Sequence, residues 1–276
     1  YGGFLGQRFD PLFTSYTPTF RESIEGRNAH IDPPVPYAAP ELPALDDQPG
    51  LGFARLDRRR DLLAAVDSCR RLGDTPAVEA LGGFQQKALE LLTSTRTRDA
   101  FDIARESEST RKRYGEHLFG SCLLAARRLV ESGTRFVGLT FESQLNGKIG
   151  AGQWDTHGNN FNAMRSKLPP ISRKITALIE DLETRGLLDD TIIMMSGEFG
   201  RTPDNGIRGG IKYGRDHNPN AMAVWLAGGG VRAGQTVGAT DEIGAHAVEV
   251  VRPMQDLHVT LLRLLGLDDH RLTFFH

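Results

Sequence analysis

Residues 181–203 read DLETRGLLDDTIIMMSGEFGRTP. The stretch closes an amphipathic helix, turns at Gly186, runs through an apolar strand and ends in a polar loop. Working upstream, Ile171, Ile175, Leu178, Ile179 and Leu182 fall on one face, which predicts a helix over Pro169–Arg185. Pro169 or Pro170 suits its first turn and Gly186 its end. Thr191–Ser196 (TIIMMS) is apolar on both faces, as is Ala221–Ala227 (AMAVWLA), which Gly228, Gly229 and Gly230 close. Arg135–Phe141 (RFVGLTF) is a third short β-rich run, and Pro253–Leu265 a final helix with Met254, Leu257, Leu261, Leu262 and Leu265 inward. Two-faced apolar strands alternating with helices predict an α/β fold for residues 133–276, a mostly parallel sheet covered on both sides.

The preceding chain reads differently. Residues 54–132 are helical in pattern. Leu56, Leu62, Leu63, Val66 and Cys69 share a face in 54–72, and Val78, Leu81, Phe84, Ala88, Leu89 and Leu92 do so in 77–93. Leu118, Phe119, Cys122, Leu123, Ala126, Leu129 and Val130 form a 3.6-residue stripe within 108–132, and Gly133 is its natural stop. Residues 1–53 are irregular: six prolines lie between Pro33 and Pro49, and proline removes a donor and fixes φ. This segment reads as an extended covering over a larger body.

The 276 residues carry 33 Lys+Arg against 35 Asp+Glu. A balance so near neutral argues against a nucleic-acid partner, which selects a basic face. No apolar run reaches the ~18 residues of a membrane span. Cys69 and Cys122 have no partner at ligand spacing, so they read as small packing residues. Nucleophile-elbow, Walker and dinucleotide fingerprints are absent from the sequence.

Three polar clusters interrupt the apolar pattern. In Trp154–Asn160 (WDTHGNN), Asp155 and His157 are two apart, so an extended segment points both the same way. A carboxylate and an imidazole at that spacing can hold a divalent metal. The competing reading is an Asx-turn with Asn159 or Asn160 as a helix cap. The second cluster, Gly197–Pro203 (GEFGRTP), follows the apolar strand directly, where open α/β sheets bind ligands. Glu198 is placed there as metal ligand or base, and Arg201 as a forked anion clamp. The plain alternative is a Glu198–Arg201 surface ion pair of little worth. The third, Gly214–Pro219 (GRDHNP), offers Asp216 and His217 from a glycine-rich loop. His258 reads as a packing residue on the last helix.

Taken together, WDTHGNNF (154–161), the 181–203 stretch, GRDHNP, GATDEIG (238–244) and DLHVTLLRLLGL (256–267) resemble the DUF1501 family. FLGQRFDPL (4–12) and RYGEHLFGSCLLAARRLVESGTRFV (113–137) agree with it. The resemblance spans nearly the whole chain. It implies an alkaline-phosphatase/sulfatase-like, three-layer αβα fold over 1–276. It also implies a bacterial, planctomycete-type source and export to the periplasm or cell surface. In such relatives a leader and a first strand with an early Asp precede this region, and a Ser, Thr or Cys nucleophile follows that strand. Relatives also continue past the LTFFH-like stretch (272–276). The chain matches neither the leading nor the trailing part, so both ends read as cut and no nucleophile is assigned. A missing first strand predicts an exposed sheet edge and self-association.

By the same resemblance Asp155, His157, Glu198 and His217, with Asp216 beside it, correspond to metal ligands. Phe199 departs from the Asp-His that relatives carry after the strand. The implied cofactor is a divalent metal, Zn, Mn, Fe or Ca, and the implied activity is hydrolysis or transfer of phosphate or sulfate esters. The alternative is a non-catalytic surface scaffold that binds a small anionic ester or a sulfated glycan, since fold does not fix function.

Overall fold

The computed structural model describes residues 11–19, 37–42, 55, 58, 61, 62, 65, 95–140, 144–145, 148–149, 154, 156–204 and 213–272. The helix read over 77–93, Cys69 and Asp155 lie outside them. The chain divides into two compact units, one of Tyr1–Thr19 with Tyr37–Leu139 and one of Phe20–Pro36 with Thr140–His276.

In the first unit, residues 37–42 of the proline-rich region take part in isolated bridges. Antiparallel bridges join Ser15 to Glu41, Thr19 to Tyr37, and Tyr37 to His117. Of the helix read over 54–72, residues 55, 58, 61, 62 and 65 are helical, but Leu62, read as inward, is exposed. Three helices follow: α1 (Thr95–Phe101), α2 (Glu108–Tyr114) and α3 (Leu118–Glu131). The single helix expected over 108–132 is thus two, separated at Gly115, where φ is +83°. Ser107 caps α2, its hydroxyl accepting the Thr110 N–H at 3.1 Å.

Leu118, Leu123, Leu124, Ala125 and Ala126 of α3 are buried, and so is Arg127. No hydrophobic stripe announces that arginine. Its Nη2 lies 2.8 Å from Glu106 Oε1 and its Nη1 2.6 Å from Glu131 Oε2. Arg128 also pairs with Glu106, and donates to the carbonyls of Ala100 (3.0 Å) and Asp99 (2.6 Å) near the end of α1. A helix C-terminus leaves those carbonyls without intrahelical donors, and a guanidinium supplies them. Cys122 is half-buried, and burial pushes its thiol up to about 11, as suits packing rather than reactivity.

Gly133 ends α3 and Gly186 ends α4 (Asn160–Thr184) in the same way. In each, the glycine N–H and the next N–H bond back to carbonyls of the last turn: Gly133 to Val130 and Thr134 to Leu129, then Gly186 to Glu183 and Leu187 to Leu182. This double bond-back requires positive φ at the glycine, here +96° and +66°. Both predicted stops are therefore met. The predicted start of α4 is not. It begins nine residues earlier, at Asn160, and Pro169 and Pro170 lie inside it. Ala163, Ile171, Ala177, Leu178 and Leu182 bury one stripe that runs through the prolines. Burial of that stripe offsets the ladder bonds that two prolines cannot donate.

In the second unit β1 (Gln144–Leu145) pairs with β2 (Lys148–Ile149), and β3 (Ile193–Ser196) carries most of the first apolar run. Next come β4 (Gly200–Arg201), β5 (His217–Asn218) and β6 (Val224–Ala227). β7 (Ala239–Thr240) and β8 (Ala247–Glu249) precede α5 (Met254–Leu264). Strands β3 and β6 are antiparallel neighbours, with Met194 opposite Leu226 and Met195 opposite Trp225. Every strand pair among the described residues is antiparallel, so the parallel relation expected of these two runs is not met. The reason lies in the connection. A parallel return needs a crossover of about a dozen residues or more, usually a helix. The described residues between β3 and β6 hold no helix but a second hairpin, β4–β5, nested inside the first.

Of the strand read over 135–141, the described residues 135–140 join no ladder, and Phe136 is exposed. Apolar sequence favours a strand only where a neighbour completes the backbone bonds. In α5, Leu257, Leu261 and Leu262 are half-buried as expected, whereas Met254, Leu265 and His258 are exposed. His258 is therefore not the packing residue its neighbours suggested.

Candidate metal centre

The nested hairpin carries two of the three polar clusters to one place. In β4–β5, Arg201 lies directly opposite His217 and Gly200 opposite Asn218. Cross-strand partners share a face, so Arg201 and His217 project to the same side. The two arms stay bonded just past the paired residues. Thr202 N–H donates to the Asp216 carbonyl (2.9 Å), and Asp216 N–H donates to the Thr202 hydroxyl (2.8 Å). Buried Asn218 donates to the carbonyls of Ala245 (3.0 Å) and Gly244 (3.3 Å), which ties the hairpin to the loop before β8.

The first cluster is stitched on by backbone bonds. Arg215 N–H donates to the Thr156 carbonyl at 2.7 Å, and Asn160 N–H to the Tyr213 carbonyl at 3.0 Å. Thr156 is buried and its hydroxyl donates to Asn160 Oδ1 at 2.5 Å. These bonds carry the His157 segment to the 213–216 arm of the hairpin. Asn159 occupies the cap position of α4, but in a left-handed conformation and without a side-chain bond to the helix backbone. The capping reading thus explains Asn159 in part and His157 not at all.

His157, Asp216 and His217 each turn a ligand atom inward, and these atoms lie within 4.8 Å of one another. His157 Nδ1 is 3.7 Å from Asp216 Oδ1. Two donors about 2.1 Å from one ion stand roughly 3.4 Å apart at a tetrahedral angle, so this spacing fits joint ligation with a small closure. Asp216 is anchored through its own carboxylate, which accepts the His217 N–H at 2.8 Å. Two imidazoles and one carboxylate are a donor set for a catalytic transition-metal site with open positions.

The remaining predicted residues fall as follows. Glu198 is not in the converging group; its Oε1 accepts from Arg201 Nη2 at 3.1 Å, and its side chain is 62% exposed. The Arg201 guanidinium lies 5.2 Å from the Phe199 ring centroid, and that ring is 4.1 Å from the His217 ring. Arg201 is therefore held at the edge of the group. Asp155 lies outside the described residues. Thr202, Asn218 and Phe199 position the site, although the sequence marked only Phe199, as a departure from pattern.

The chain matches the family described as protein of unknown function (DUF1501) across residues 1–276. It belongs to the DUF1501 family. No curated protein and no solved structure matches it. Among the described residues of this DUF1501 protein, no helix is long and apolar enough to cross a membrane.

One glycine of the DUF1501 site has no room for a side chain. A Cβ on Gly200 would fall 1.6 Å from the Ala221 carbonyl oxygen, a backbone atom. Gly200→Ala is expected to open the β4–β5 ladder, to lower stability by about 1–3 kcal/mol and to weaken divalent-metal binding with it. A thermal melt paired with a metal titration checks both; unchanged values would show that the hairpin shifts without harm.

Proposed function

We propose that this protein is a metal-dependent hydrolase or transferase of phosphate or sulfate esters on an alkaline-phosphatase/sulfatase-like, three-layer αβα scaffold. Export to the periplasm or cell surface, which the family resemblance suggests, is part of the same proposal. The observation that carries the reading is the convergence of His157, Asp216 and His217, with Arg201 opposite His217. These three residues would hold a divalent ion, and two imidazoles favour Zn, Mn or Fe over Ca. When bound, the ion would act as a Lewis acid on an ester oxygen.

The chain's own residues supply the rest. The hairpin fixes Asp216 and His217 through Thr202 and Asn218. Arg201 presents a planar fork that pairs with two oxygens of a tetrahedral anion. Stacking on Phe199 orients that fork, and Glu198 is exposed enough to be displaced from it by an anion.

The test is turnover of a panel of phosphate and sulfate esters by metal-loaded protein. Arg201→Ala is expected to lower kcat/KM for a cleaved ester by about 10²–10³, the scale of losing one donor to a developing oxyanion. Metal binding without turnover of any ester would overturn the enzyme reading in favour of an anion-binding scaffold.

A further inference from the structure

A second group of side chains is carried on the same segments as the donors and has no role in the reading above. Phe161, in the first turn of α4, and Tyr213, before β5, are 51% and 59% exposed, with ring centroids 6.4 Å apart. The Arg215 guanidinium lies 5.2 Å from the Phe161 ring centroid and is pinned by donation from its Nη1 to the Gly214 carbonyl at 2.7 Å. The backbone bonds that bring His157 to Asp216 are the ones that place this trio. Tyr213 accepts from Asn160, next to Phe161, and Arg215 donates to Thr156, next to His157. Arg215 is also the immediate neighbour of Asp216. The aromatic pair and the donor cluster are therefore built on the same two strips of chain, 156–161 and 213–217.

We propose that Phe161, Tyr213 and Arg215 form a subsite for the organic part of the ester, and that this part is a six-membered ring with a flat apolar face. The proposal rests on the metal-site reading. Two tilted rings set 60° apart present an apolar corner rather than a slot. An aryl ring or the C–H face of a pyranose seats in such a corner by dispersion and stacking. Arg215 adds attraction for an aromatic face or for a further negative substituent. A short alkyl ester carries no ring to seat in such a corner.

The experiment is calorimetry on metal-loaded full-length chain with methyl phosphate, phenyl phosphate and glucose 6-phosphate, after metal content has been measured on the same sample. A ring-bearing phosphate is expected to bind about tenfold more tightly than methyl phosphate, the upper end of what an aromatic contact contributes. Phe161→Ala and Tyr213→Ala should each remove most of that advantage and leave methyl phosphate affinity unchanged. Preference for phenyl phosphate assigns an aryl ring, and preference for glucose 6-phosphate a pyranose. Equal affinity for all three, with metal and methyl phosphate bound, overturns the subsite alone. No metal, or no binding of methyl phosphate, overturns the ester-site reading and the subsite with it.

Discussion

Replacing His217 by alanine is expected to lower divalent-metal affinity at least about 100-fold, since even residues that merely orient a metal ligand are worth 10–100-fold. Asp216→Ala should do the same, because it removes both a donor and the carboxylate that accepts the His217 N–H. Glu198→Ala should leave affinity within a few-fold, as Glu198 lies outside the converging group and bonds to Arg201 instead. The comparison discriminates because the exposed Glu198–Arg201 pair is of a kind that contributes little to stability. Elemental analysis of purified wild type and the three variants, with circular dichroism to show retained fold, reads the outcome. Metal held equally by wild type and His217→Ala would remove His217 from the site.

Glu106→Gln is expected to destabilise the first unit by about 3–5 kcal/mol, the range for breaking one side of a buried ion pair. The Arg127 side chain has no exposure, and Glu106 faces both Arg127 and Arg128. Removal of the carboxylate takes one negative partner from a guanidinium that stays in a low-dielectric interior, with Glu131 still paired to it. The loss is a large share of a typical stability of roughly 5–15 kcal/mol. Replacing Arg127 by methionine in the same chain should recover part of it, because an apolar side chain of similar volume has no charge to desolvate.

Acidification probes the same contact. Burial raises the Glu106 carboxyl, but hydrogen bonds and charge from Arg127 and Arg128 outweigh it and hold the group below its ordinary value of 4.5. A depressed carboxyl contributes its stability in full above that ordinary value, and loses it as pH falls toward the folded value. Wild type should therefore lose stability below about pH 4.5 more steeply than Glu106→Gln. Urea titrations at several pH values measure both slopes; parallel slopes would exclude the contact as a source of acid sensitivity.

How much of this was legible in the sequence depended on how local the cause was. The stops at Gly133 and Gly186 were, because a positive φ after an apolar stripe is a property of a few consecutive residues. The apolar runs at 191–196 and 221–227 located β3 and β6 to within a few residues. Their antiparallel pairing was not legible, because two-faced hydrophobicity is the same for either direction and the nested hairpin that reverses the chain carries no apolar pattern. Pro169 and Pro170 suggested a helix start, yet burial of Ala163 and Ile171 carries the helix through them.

At the site, residue chemistry alone marked Asp155, His157, Asp216, His217, Glu198 and Arg201 as donors and clamps, of which Asp155 lies outside the described residues. It also established a chain without the charge excess of a nucleic-acid binder. Tertiary structure decided which of the marked residues meet. It joined His157 to Asp216 and His217 through the bonds from Arg215 to Thr156 and from Asn160 to Tyr213, and it turned Glu198 to Arg201. Local spacing sets only which side chains within a segment share a face. Convergence of distant segments is set by backbone bonds and packing between them, as is the burial of Arg127 against Glu106, and no period in the sequence encodes either.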